Sequence, residues 1–222
     1  KGADVIIPVK NVSPGIVPVI VKADGTEEIV KKSVTTDDGV AFFLNSSSVV
    51  KLQDNSKTFV DTDASHWAFN AVAFAASREL FQGVGADRFA PADPMTRSML
   101  VTVLYRLENE PEAGEATFAD VPAGTWYTDA VAWASASGIV TGTGAGFEPD
   151  GKITRESLAV MLYRYAEKLG LDTETDGMAA KGFSDSAGIS AWAEEAMSWS
   201  VKNGILTGKS GGILDPGGTA SR

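Results

Sequence analysis

The chain has 222 residues, of which 44% are hydrophobic and 22% charged; this is the composition of a folded domain with a real core and excludes a disordered chain. No cysteine is present, so disulfides, thiolate metal sites and a catalytic thiol are excluded. The formal charge of -10, with no basic block to override it, excludes nucleic acid as a natural partner, and no apolar run reaches the ~18 residues that membrane insertion needs.

Position 1 is Lys and no signal-like apolar stretch follows, so the N-terminus reads as a boundary left by processing or expression. Val5–Val9 and Ile16–Val21 are β-branched runs that predict strands. Ala23-Asp24-Gly25-Thr26, inside Val19–Val30, predicts a hairpin turn, because Asp-Gly between apolar runs supplies the left-handed residue a tight turn needs. Val40–Leu44 and Val49–Leu52 predict further strands. Residues 1–57 are therefore expected to form a small β module, the tail of a larger upstream domain.

From Phe59 onward one pattern is laid down three times. The copies read Phe59-Val60-Asp61 … Trp67 … Gly83 … Phe89-Ala90-Pro91 … Thr96-Arg97, then Phe118-Ala119-Asp120 … Trp126 … Gly142 … Phe147-Glu148-Pro149 … Thr154-Arg155, then Phe183-Ser184-Asp185 … Trp192 … Gly208 … Leu214-Asp215-Pro216 … Ser221-Arg222. Trp to Gly is sixteen residues and Pro to Arg six in every copy, with length changes confined to the stretches between. Expected repeat bounds are 58–108, 118–169 and 182–222, joined by exposed acidic linkers from Glu108 to Thr117 and from Leu171 to Gly182.

Each copy predicts a first helix. Trp126, Ala130, Val131, Trp133 and Ala134 form one helical face, repeated by Trp192, Ala196, Met197 and Trp199. Gly138 and Gly204 mark the expected left-handed ends. A second helix follows a Gly-rich loop, capped by Thr96 or Thr154. Its apolar stripe is Met99, Leu100, Val103, Leu104 and Leu107 in copy one, and Leu158, Met161, Leu162, Tyr165 and Ala166 in copy two. Copy three stops at Arg222, where its second helix should begin. Continuation beyond Arg222 is expected, and the apolar seam left by the missing helix predicts self-association through the truncated third repeat.

No constellation carries catalysis. His66 is the only histidine, placed at a helix start, so neither a His-based triad nor a His-rich metal site can be built. Asp172-Thr173-Glu174-Thr175-Asp176-Gly177 imitates the opening of a calcium loop, but Phe183 stands where a bidentate Glu belongs, so a solvated linker is expected and no metal. Gly142-Thr143-Gly144-Ala145-Gly146 lacks a following Gly-Lys-Ser/Thr and reads as a turn. No carboxylate pair sits in an apolar setting that would raise a pKa. The chain is expected to be no enzyme and to use no cofactor.

The ordered combination from Phe59 to Arg222 resembles the S-layer homology repeat, most closely in Phe118-Ala119-Asp120-Val121, Gly138-Ile139-Val140-Thr141-Gly142 and Phe147-Glu148-Pro149-Asp150-Gly151-Lys152-Ile153-Thr154-Arg155-Glu156. The resemblance implies an α+β chain whose larger part is a mainly α-helical, pseudo-threefold trimer of repeats, with the second helices in a central bundle. It implies grooves that bind a secondary cell-wall polymer, commonly a pyruvylated glycan or another peptidoglycan-linked polysaccharide, outside the cell at the wall or S-layer surface. The family's ligand-contacting arginine falls on Arg97, Arg155 and Arg222. The surrounding motif departs from the usual Thr-Arg-Ala-Glu, reading Thr96-Arg97-Ser98-Met99, Thr154-Arg155-Glu156-Ser157 and Ser221-Arg222, and copy one has Glu79-Leu80 where the others have Gly-Ile.

The chemistry of such a site is simple. A guanidinium meets a sugar carboxylate with paired charge-assisted bonds, and a helix start offers free N–H groups to the same anion. Thr96 and Thr154 hold those helix starts, Lys152 adds charge beside Arg155, and Gly142 and Gly144 let backbone approach a sugar closely. Two readings of the arginines stay open: ligand contact, or pairing with a carboxylate at the rim of the core such as Asp120 or Glu156. The periodic Trp67, Trp126 and Trp192 favour core packing over sugar stacking. Asp61, Asp120 and Asp185 read as caps or local hydrogen-bond acceptors. Three functions follow: a wall anchor that binds an anionic glycan, a structural S-layer or self-assembly module, or the non-catalytic C-terminal part of a surface hydrolase.

Overall fold

The computed structural model describes residues 2–115 and 118–222; Lys1, and Ala116 and Thr117 of the expected first linker, lie outside the described residues. The described residues form an α+β fold of six strands followed by five α-helices. The strands are β1 (Ala3–Ile7), β2 (Ile16–Val21), β3 (Glu27–Ile29), β4 (Ser33–Thr36), β5 (Gly39–Leu44) and β6 (Val49–Asp54). They pair antiparallel into two three-stranded sheets, ordered β1-β5-β4 and β3-β2-β6. Val17, Val19, Val40 and Phe42 are buried and form the module's core. The Asp-Gly turn joins β2 to β3: Lys22 N donates to Thr26 O at 2.8 Å, the Asp24 carboxylate accepts from Thr26 N, and Gly25 takes φ +82°.

Two compact units emerge from the contacts. One runs up to Pro91 and takes back Arg106–Glu110; the other holds Ala92–Tyr105 and Pro111–Arg222. The strands therefore share a unit with the first half of copy one. Its helix α1 (Phe69–Ser77) ends on Arg78, which is fully buried. Arg78 Nε donates to Ser33 O at 2.9 Å, and Nη1 donates to Pro14 O at 3.0 Å, fastening the helix end to the sheets. Asn55 Nδ2 donates to the Ser77 carbonyl on the same side. A small core of Ala68, Val72 and Phe89, flanked by Phe59 and Phe81, completes this half of copy one.

The remaining helices are α2 (Arg97–Leu107), α3 (Thr128–Ala136), α4 (Arg155–Lys168) and α5 (Glu194–Lys202). Thr96 and Thr154 cap α2 and α4, their hydroxyls accepting from Met99 N and Ser157 N at 3.2 Å. Gly138 and Gly204 leave α3 and α5 with φ of +72° and +68°, whereas copy one forces Glu79 into the same region at +59°. In the second unit the copies close on one another through the segments that lead into the second helices. Met95 N donates to Ala220 O, Ala220 N to Ile153 O and Ile153 N to Met95 O, a ring of three backbone hydrogen bonds at 2.9–3.0 Å. Met95, Ile153 and Ala220 occupy the same repeat position and all are buried.

Three expectations are corrected here. Trp67, Trp126 and Trp192 are not core residues: they are 76%, 59% and 60% exposed. Trp67 and Trp126 each stand two residues before a helix begins, so the helical periodicity that would turn them inward does not yet apply; the buried indoles are Trp133 and Trp199, within α3 and α5. Second, α4 buries Ala159 and Val160 while Leu158 is only partly buried, because its inner face is covered by copy three as well as its own copy: Ala159 and Val160 join Ala193, Met197, Leu206 and Leu214 in one core. Third, the linker from Leu171 to Gly182 is not wholly exposed. Ala180 enters that same core, and Asp172 O accepts from Trp199 Nε1.

Candidate functional site

One carboxylate organises each Gly-rich loop. Asp120 accepts from Phe147 N at 2.9 Å and Glu148 N at 2.7 Å; Asp61 does the same for Phe89 and Ala90, and Asp185 for Leu214 and Asp215. The second residue of each pair is left-handed: Ala90, Glu148 and Asp215 have φ of +57°, +58° and +53°. Backbone N–H bonds, led by those from Phe89, Phe147 and Leu214, hold all three carboxyls below the usual carboxylate range. Asp24, Asp54 and Asp63 are lowered in the same way, first by Thr26, Ser56 and Ser65 side chains. A folded pKa below the unfolded value of about 3.9 gives stability that is full above that value and is lost as pH falls through the folded values. The thermal midpoint should therefore stay flat from neutral pH to about pH 5 and fall below about pH 4, and Asp120→Asn should blunt that acid slope; melting curves followed by circular dichroism across pH check both.

The loops of copies two and three are each gripped by the preceding copy. Arg97 Nε donates to Phe147 O at 2.7 Å and its Nη2 to Thr141 O at 3.2 Å; Arg155 repeats this on copy three, Nε to Leu214 O at 2.8 Å and Nη2 to Thr207 O at 2.6 Å. The partners are carbonyls, not the rim carboxylates of Asp120 or Glu156. Glu156 instead accepts from Ser190 N and Oγ. The amides expected to be open at the helix starts are also used. Arg97 N and Ser98 N donate to Gly151 O and Pro149 O, and Arg155 N and Glu156 N to Gly218 O and Pro216 O. A helix start whose N–H groups already have acceptors is not an anion site. The missing side chain of Gly142 has a local cause: a Cβ there would stand 2.9 Å from Gly146 O and 3.0 Å from the Phe118 ring.

A groove of about 380 Å³ lies against α4, and three copies contribute to it. Copy one supplies Arg97, copy two supplies Thr141-Gly142-Thr143 together with Met161 and Arg164 of α4, and copy three supplies the exposed Trp192. Burial lowers the Arg97 guanidinium from its ordinary value, with Glu148 and Asp120 acting in the opposite direction. Among the described residues neither Arg97 nor Arg164 forms an ion pair. Two cations, an indole face and glycine backbone in one groove are the elements that recognise an acidic sugar.

Of the residues singled out in the sequence, this groove gathers Arg97, Gly142 and Trp192. Arg155 lies outside it, spent on copy three. Arg222 is half-buried and packs its Nη1 3.9 Å from Met99 Sδ. Thr96 and Thr154 are occupied as caps, Lys152 is exposed and bridges to Thr96 through its backbone, and Gly144 serves a turn at φ +94°. Trp126 lies edge-on to Tyr127 with ring centres 5.1 Å apart, and Trp67 lies 5.5 Å from His66. Arg164 was missed. Its signal was its offset: it follows Arg155 by nine residues as Arg106 follows Arg97 (164 − 155 and 106 − 97).

The S-layer homology domain model matches residues 58–98, 117–159 and 182–222. Over 167 residues (75% of this chain) the sequence is 32% identical to an amylopullulanase from Thermoanaerobacterium thermosulfurigenes, and over 168 residues 32% identical to the exoglucanase XynX of Acetivibrio thermocellus. It is 34% identical over 154 residues (68% of this chain) to the S-layer protein sap of Bacillus anthracis. The aligned stretch is only 9%, 15% and 18% of the length of these three proteins, in that order. With three matched segments that together cover more than half of its length, the chain belongs to the S-layer homology domain family.

Proposed function

We propose that this chain is a non-catalytic anchor that holds a larger bacterial surface protein to the cell wall by binding an anionic polysaccharide, outside the cell. The observation that carries the reading is the groove lined by Arg97, Arg164 and Trp192, in which neither arginine forms an ion pair among the described residues. A pyruvyl ketal or another acidic substituent would meet Arg164 while a sugar face stacks on Trp192. The relatives support the setting, since they include both S-layer proteins and large polysaccharide hydrolases. The upstream cargo would then be a surface-layer or hydrolase domain. The ring through Met95, Ile153 and Ala220 supports a pseudo-threefold arrangement of the copies. A purely architectural reading fits Arg155, whose donors are committed to copy three.

The test is co-sedimentation with purified wall polymer. Arg164→Ala should weaken binding by about tenfold or more, the equivalent of about 1.4 kcal/mol, with an unchanged unfolding midpoint. Removing pyruvyl groups from the polymer should have a similar effect. Undiminished binding after both changes would reject the groove and leave the assembly reading.

A further inference from the structure

The groove beside α4 has a counterpart in the first compact unit, and there the β module rebuilds its wall. Phe81, Gln82, Gly83 and Arg106 line a pocket of about 690 Å³. These are the copy-one positions of Val140, Thr141, Gly142 and Arg164. The facing side comes from outside the repeats: Lys31 between β3 and β4, and Ser56 and Lys57 after β6. The volume lies within the ~300–1,000 Å³ of small-ligand pockets.

The charges in this pocket are arranged for a guest. Lys31 makes no ion pair or hydrogen bond among the described residues, whereas its neighbour Lys32 is taken by Glu108 at 2.7 Å. Among the described residues Lys57 reaches only the Asn55 side-chain oxygen, at 2.9 Å. Arg106 uses Nη1 on Leu80 O at 3.2 Å. Glu79 and Glu110 also line the pocket, so three cations stand against two carboxylates and the local balance is positive in a chain of net charge -10. At physiological salt the distant acidic surface is screened beyond about 8 Å, and the local cations dominate the field felt inside. The rings of Phe59 and Phe81 offer apolar faces, and the two carboxylates can accept from hydroxyls.

We propose that the β module and copy one together form a second binding site for an anionic sugar, carboxylated or phosphorylated, in which Lys31 and Lys57 supply charge that the repeats alone do not carry. The inference rests on the reading that this chain binds acidic glycans, and it extends that reading to residues outside the repeats. Two sites on one chain would hold a repeating polymer through effective concentration.

Amide-resolved NMR titration of the full chain with glucuronate, glucose 6-phosphate and glucose tests it. Either anionic sugar should shift the amides of Lys31, Lys57 and Gly83, glucose should not, and the stronger of the two identifies the anion. The double variant Lys31→Gln, Lys57→Gln should weaken that response about tenfold or more while Thr141–Thr143 respond as before. Lys57→Gln alone, at an exposed position, should give a smaller loss of the same kind if the double variant does not fold. The proposal is overturned if Gly83 stays unmoved by both anionic sugars, moves equally with glucose, or keeps its affinity in the variants. A silent Thr141–Thr143 with a responsive Gly83 would count against the α4 groove and still support this site.

Discussion

Replacing Arg78 by Ala should cost about 3–5 kcal/mol and uncouple the strands from copy one. The side chain is fully buried, and burial lowers its guanidinium to about 10, so it is still charged at neutral pH. Among the described residues no carboxylate pairs with it. Its donors reach Ser33 O, Ser33 Oγ, Pro14 O, Phe74 O and Ser77 Oγ, and its Cζ lies 3.7 Å from the centre of the Phe74 ring. Truncation would open a cavity and strand several buried acceptors at once, each worth about 1–3 kcal/mol. Arg78→Met keeps volume over the ring but no donor, and should fall between wild type and Ala. Urea unfolding combined with amide hydrogen exchange is the measurement. In wild type, β2, β5 and α1 should exchange together; in Arg78→Ala the strands should lose protection first. Unchanged protection of Val17, Val40 and Val72 would show that the arginine is not the fastener.

What the sequence disclosed was local. The hairpin at Asp24-Gly25, the caps at Thr96 and Thr154, and the left-handed ends at Gly138 and Gly204 are each decided within a few residues, and they stand as read. What it hid was set by partners far along the chain. Arg97 and Arg155 grip carbonyls 44–59 residues away, and a carbonyl has no sequence signature, whereas the carboxylates of Asp120 and Glu156 are visible as possible partners. The tryptophans were misplaced for a related reason: a sixteen-residue spacing to glycine fixes an equivalent position but not which way it faces, and Trp126 precedes α3 where Trp133 lies inside it. Arg164 has no partner signal within its own helix, because Trp192, which lines the same groove, belongs to the next copy. Arg78 gave no signal, because a lone arginine at a helix end reads as surface, and Ser137 and Asn203 hold the equivalent place in the other copies.

Phe147→Ala should be the most damaging change in the second unit, at about 3–5 kcal/mol, and should abolish groove binding as well. The ring is fully buried against Phe118, centre to centre 5.6 Å, and Arg97 Cζ stands 5.0 Å above it. The same residue's N–H is held by Asp120 and its carbonyl by Arg97 Nε. Removing the ring thus takes away the stacking surface, of about 0.5–1 kcal/mol to a cation, and lets the loop drift from the arginine that both braces it and lines the groove. The third copy supplies the control. Leu214 occupies this position there, is fully buried, and still donates to Asp185 and accepts from Arg155. A branched aliphatic chain is therefore compatible with the geometry, and Phe147→Leu should cost well under half as much as Phe147→Ala and keep polymer binding within a few-fold. Paired urea titrations and co-sedimentation assays read both quantities. Equal damage from Leu and Ala would mean that the ring itself, not the filled volume, sets the loop, and an undisturbed Phe147→Ala would show that Asp120 and Arg97 position it without help from the core.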